Sequence, residues 1–232
     1  MTNELKPRVR VAKAEMDFPH EGNLLTAVHP LYGPANSADL LRLIIGSSEE
    51  PTGYREPNNS EVISFIHEYF SGSELQAKDV TSKLDRNYLR GFTGVLFVPE
   101  ERIAYFQNSP VLNEKGLIDV GSFMKNLDNS YANVSFDFIK NSTNVPWRDI
   151  RKHPYLLAWA GGEEGAEKLA EIVSRRSGQH ATIWAPHFDE LTVPTTKITA
   201  MYSGGGNGLH TYCTMGGDVE LGFSFGIIDK KI

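Results

Sequence analysis

The sequence predicts an α+β protein: a mixed sheet with one βαβ unit and a C-terminal antiparallel meander, and helices packed against the sheet. Three stretches carry that expectation. Residues 91–107, GFTGVLFVPEERIAYFQ, give two strand-like runs separated by the polar turn Pro99, Glu100, Glu101, Arg102. Residues 163–178, EEGAEKLAEIVSRRSG, repeat apolar side chains at helical spacing. Their glutamates fall in the first turn and their arginines in the last, as the helix dipole favours. Residues 197–228 alternate like strands and are interrupted by two glycine clusters.

In chain order, residues 1–35 read as loop, with an edge strand at 8–11 and at most one further short strand. Ser37 opens a helix whose apolar face is Leu40, Leu41, Ile44 and Ile45, ended by Gly46. Residues 47–59, SSEEPTGYREPNN, form a long connector rich in turn formers. Ser60 caps a helix carrying Val62, Ile63, Ile66, Tyr69 and Phe70, stopped by Gly72. Ser73 and Gln76 have capping-box spacing before the stripe Ala77, Val80, Leu84, Tyr88. Strands follow at 92–98 and 103–107, then a helix with Val120, Phe123, Met124 and Leu127, then a strand through Val134, Phe136 and Phe138.

Residues 155–160, YLLAWA, suit a short buried strand, with a helix starting after Pro154 as the alternative. With the helix at 163–178 and a strand at 180–186, HATIWAP, they would complete a right-handed βαβ unit. The whole chain, 1–232, reads as one domain, and a seam, if present, falls at 141–146 (NSTNVP).

Composition narrows the function classes. A formal net charge of −6 and the lack of a clustered basic surface argue against nucleic acid as the main partner. No apolar run approaches the ~20 residues needed to span a bilayer, and the N-terminus has no signal-type apolar core, so no membrane is expected. One cysteine excludes an internal disulfide and fits a reducing, cytoplasmic setting.

The C-terminal glycine stretch holds Cys213 three residues after His210. In a strand, three residues apart means opposite faces, so His210 is a poor base for Cys213. Leu209, Thr211, Cys213 and Met215 share one face, with Cys213 as a small core side chain. His210, Tyr212 and Thr214 share the other. In the last strand Val219, Leu221, Phe223, Phe225 and Ile227 form the expected core face. Glu220 and Ser224 lie opposite, beside Gly222 and Gly226, whose missing side chains would admit a backbone, a helix or a ligand. Neither glycine cluster has phosphate-loop form, since 204–208 leads into a strand. Residues 161–165 do open a helix, but Glu163 and Glu164 there repel an anion.

Two functional readings follow. The first is a non-catalytic binding or assembly domain that meets a protein partner or small-molecule ligand through long loops and the polar sheet face; a homo-oligomer is compatible with it. The second is a hydrolase, metal-assisted or not, with His210, Glu220 and Tyr212 as catalytic candidates and His187 and Asp189 as metal ligands. His187 and Asp189 would point the same way on an extended segment. A divalent ion fits such a set, which could activate a bound water, but nothing in the sequence requires one. His20 and His29 are reserve ligands in that scheme.

Overall fold

The computed structural model describes residues 14–70, 75–113, 117–140, 142–176, 178–203, 208–215 and 221–229. The chain has an α+β fold with two sheets. The first pairs β1 (Ala14–His20) with β2 (Asn23–His29) in an antiparallel hairpin, and β12 (Ile227–Asp229) adds to β2. The start and end of the described chain are therefore stitched together. Residues 14–35 hold three strands where sequence reading expects mainly loop; the edge strand expected at 8–11 lies outside the described residues. Met16 and Phe18 are buried at period two, a pattern too short to separate from loop by composition alone.

The second sheet runs β3 (Tyr32–Ala35), β11 (Gly222–Ser224), β4 (Tyr88–Val98), β9 (Thr195–Tyr202), β10 (Leu209–Met215), β8 (His180–Trp184), β7 (Thr143–Pro146). Off that path, β5 (Ile103–Asn108) pairs with β4, and β6 (Ala132–Ser135) with β5. Residues 143–146 are thus a strand of this sheet, paired with β8.

Strand β4 is buried along almost its whole length because both faces are covered. Leu89, Val95 and Phe97 join the larger core, beneath α2 (Asn59–Tyr69), α3 (Leu75–Arg86), α5 (Pro154–Trp159) and α6 (Glu163–Ser174). Phe92, Leu96 and Val98 join a second core with Leu40 and Ile44 of α1 (Ser37–Ile45) and Phe123 of α4 (Val120–Lys125).

Two expectations are corrected here. Residues 155–160 are not a strand: α5 starts with Pro154 at its first position, where its fixed φ suits a helix and its missing N–H costs nothing. Tyr155, Leu156, Ala158 and Trp159 are buried at helical spacing, and α6 follows at once, so no βαβ unit forms there. The parallel pairs are instead β8 with β10 and β4 with β11.

The C-terminal meander stops at a hairpin. β9 and β10 pair antiparallel as expected, but the last strand leaves them: β11 joins β3 and β4, and β12 joins the small sheet. Its core face differs accordingly. Leu221 is 59 % exposed, while Ser224 is buried and donates to the Arg90 carbonyl at 3.0 Å. Gly222 and Gly226 serve the chain itself: a Cβ would sit 2.9 Å from Arg90 Nε and 2.8 Å from Tyr54 Cβ respectively. The expected stop at Gly72, the cap at Ser73 and the turn at 216–218 lie outside the described residues. Among those residues, no helix is long and apolar enough to cross a membrane.

Candidate functional site

Strand parity builds the first candidate site. On β10, Leu209, Thr211 and Cys213 are fully buried, and His210 and Tyr212 are half-buried on the opposite face. Across the ladder, Tyr212 faces Trp184 of β8, and His210 faces Tyr202 of β9. Tyr88 at the start of β4 completes the group. Trp184 and Tyr212 are stacked, with centroids 5.8 Å apart and planes 6° apart. Tyr88 packs edge-on to Tyr212 at 5.2 Å, and Tyr202 edge-on to His210 at 5.9 Å. Five rings form one continuous half-buried surface, on the sheet face that also carries the second core.

His210 is held inside this group. Trp184 Nε1 donates to its Nδ1 at 3.2 Å, and Tyr212 Oη lies 3.2 Å from the same atom. Burial, and then the neighbouring His180, push its pKa below the usual imidazole range. Cys213 is on the other side, with Tyr155 Oη 2.7 Å from its Sγ, and burial pushes the thiol up to about 12. The Cys–His pair is therefore separated by the sheet, as parity predicts.

The metal-ligand candidates stand elsewhere. His187 and Asp189 are exposed, at the single helical turn Phe188–Glu190 that follows β8. Among the described residues, no three His, Cys, Asp or Glu side chains come together as a metal site would require. Glu220 lies outside the described residues.

A second candidate is a cleft of about 550 Å³ between the β1–β2 turn, the N-terminus of α2, β6 and the α5–α6 corner. Its walls include His20, Asn58, Ser60, Asn133, Leu157 and Gly162. His20 is 9 % exposed, with Nδ1 3.0 Å from Ser64 Oγ, and burial lowers its pKa. Ser64, His20 and Glu21 form a line that resembles a hydrolase triad, with 3.9 Å between His20 Nε2 and Glu21 Oε1. The serine, however, is 2 % exposed, is hydrogen-bonded by Lys168 and does not line the cleft. A substrate carbonyl cannot reach it in this arrangement.

Of the ring group, the sequence singles out His210 and Tyr212, as catalytic candidates, and passes over Trp184, Tyr202 and Tyr88; of the cleft residues it singles out His20, as a reserve ligand, and passes over Asn58. The signal for Trp184 was in HATIWAP: Ala181 and Ile183 are buried, which sends Trp184 outward. The apolar surroundings of Trp184 in the sequence point to core rather than to a stacking surface.

No protein-family model matches the chain, and no curated protein matches it. One solved structure does: a nanoarchaeal protein described under "Accommodation of massive sequence variation in Nanoarchaeota by the C-type lectin fold", 15 % identical with a TM-score of 0.54. The likeness spans 93 % of this chain and 96 % of that one, so nearly the entire architecture is similar to the C-type lectin fold, and the similarity is one of fold.

Proposed function

We propose that the protein is a non-catalytic binding domain, and that the ring surface of Tyr88, Trp184, Tyr202, His210 and Tyr212 contacts its partner. The observation that carries this reading is the contact between five half-buried rings on one sheet face. Aromatic side chains supply large contact area at small entropic cost, and they dominate the energetics of recognition surfaces. Tyr and Trp also combine an apolar body with a polar tip, which suits a protein partner or a ring-bearing ligand equally. The nanoarchaeal protein of similar fold is described as accommodating massive sequence variation, which fits a scaffold whose surface can change while its core persists.

A photoreactive amino acid at the exposed position 144, which pairs with Thr182 beside His210, tests the reading in the cells that make the protein. Crosslinking should capture a partner or ligand in a 1:1 adduct. The double variant W184S/Y202S should capture it at most a tenth as well, while its melting temperature stays within a few degrees. Equal capture by both proteins, or no adduct from a folded protein, would overturn the proposal. Unfolding of the double variant would do the same, by showing that the rings serve the core.

A further inference from the structure

We infer that the cleft beside α5 binds an α-aminoacyl group, an ammonium next to a carbonyl or carboxylate. The inference involves none of the five rings and stands separately from the reading above.

Charge decides the first half. The cleft is lined by the carboxylates of Glu21 and Glu163 and by no lysine or arginine. Lys168, which reaches Ser64 behind His20, is already committed to Glu164 at 2.6 Å and Ser64 at 3.0 Å. An anion alone would meet repulsion there, and an ammonium would meet attraction.

Hydrogen-bond orientation decides the second half. Asn58 Oδ1 accepts from the Glu61 N–H at 3.0 Å and from Ser60 Oγ at 2.7 Å, which leaves its Nδ2 as the outward end. Asn108 Oδ1 accepts from Thr93 Oγ1 at 2.9 Å, which orients that amide in the same way. Neither Nδ2 has a protein partner among the described residues. His20 adds a third donor. Its Nδ1 lies 3.0 Å from Ser64 Oγ, and in the tautomer whose Nδ1 accepts the Ser64 hydroxyl, Nε2 carries the ring proton and is the free donor. That nitrogen is 3.9 Å from Glu21, too far for a hydrogen bond, although the residue is 9 % exposed. Three donors without acceptors call for a carbonyl or carboxylate oxygen. Val134 and Leu157 offer an apolar wall for the side chain, and about 550 Å³ exceeds what one residue fills. A free amino acid and a peptide N-terminus share this chemistry.

Isothermal titration with leucine, leucinamide, Leu-Gly, N-acetyl-leucinamide and 4-methylpentanoate tests the assignment. The three compounds with a free ammonium should bind, and both the acetylated and the deaminated compound should bind at least tenfold more weakly. Tighter binding of leucine than of leucinamide and Leu-Gly identifies a free amino acid; the reverse identifies a peptide end. E21Q and E163Q should each weaken binding about fivefold, the scale of a partly exposed ion pair. A132W, which fills the cleft, should abolish it with the circular dichroism spectrum unchanged; if A132W fails to fold, the two glutamine variants decide. Undiminished binding of N-acetyl-leucinamide would overturn the assignment. So would unaltered affinity in both glutamine variants, or no binding of any compound by the unmodified protein.

Discussion

Cys213 shows how much one residue's environment settles. Its side chain is fully buried, its sulfur faces Tyr155, and burial holds the thiol at about 12. The thiolate is the reactive form, so at pH 7.5 its population is far below that of a free cysteine. Iodoacetamide should label the native protein at least about a thousandfold more slowly than a model thiol, and at the ordinary rate once the chain is unfolded in urea. Rapid native labelling, read by mass spectrometry, would show that the β10 register differs from the one described. The register was legible at this scale because Leu209, Thr211 and Cys213 alternate with His210 and Tyr212, and a strand has only two faces. Trp184 was less legible. Its apolar surroundings suggest core, and only the pairing of β8 with β10, which no local pattern reveals, brings its ring onto Tyr212.

The elements repeat that contrast between local and non-local causes. Helix α2 is specified locally, two residues earlier than Ser60: Asn58 accepts from the Glu61 N–H, and the Glu61 side chain accepts from the Asn58 N–H at 2.8 Å. Glu61 is further held by both terminal nitrogens of Arg55, at 2.6 and 3.0 Å. Asn58→Ala removes the cap and should cost about 1 kcal/mol, the usual worth of an N-cap. Urea unfolding checks this through the shift in midpoint at constant slope; an unchanged midpoint would mean that the cap is redundant. Asn58 also faces the cleft, so the same variant should lose ligand donors along with stability. α5 was harder to read. YLLAWA satisfies both the buried-strand and the helix pattern, and Pro154 at the first helical position is what decides it. β11 could not be read from its own alternation, because its neighbours β3 and β4 come from far upstream in the chain. Its glycine at 222 leaves room for Arg90, a contact that no local spacing encodes.

At the scale of the molecule, the terminal sheet closes over the helical layer through titratable contacts. His20 meets Ser64 of α2, His29 Nε2 lies 2.9 Å from Asp79 of α3, and Lys168 of α6 donates to the Pro19 carbonyl at 3.3 Å. These connections join the first described strands to helices from the middle of the chain, and the buried His20 contact among them makes the hairpin's docking respond to pH. Burial lowers the pKa of His20, His153 and, with His180, of His210 from the usual 6.5. A histidine depressed in the folded state gives stability that is fully present above its unfolded pKa. That stability is lost as pH falls below 6.5, because the unfolded chain takes up protons first. Carboxylates act later. Lys168 holds Glu164, and His67 holds Glu171, below the usual 4.5, and their contributions vanish only as pH falls through those lower values. Stability should therefore be level from pH 8 to about 7, decline between pH 6.5 and 5 as the histidines protonate, and decline again below 4.5. A fall in melting temperature of about 3 °C or more from pH 7.5 to 5.5 is the expected scale for a chain of this size. His20→Gln, which keeps a hydrogen-bonding group toward Ser64 but cannot take a proton, should make the first decline shallower. Hydrogen exchange should locate the difference in β1 and β2. A melting temperature constant from pH 8 to 5 would mean that the buried imidazoles protonate without opening the hairpin, and that the contacts to α2, α3 and α6 hold it irrespective of charge.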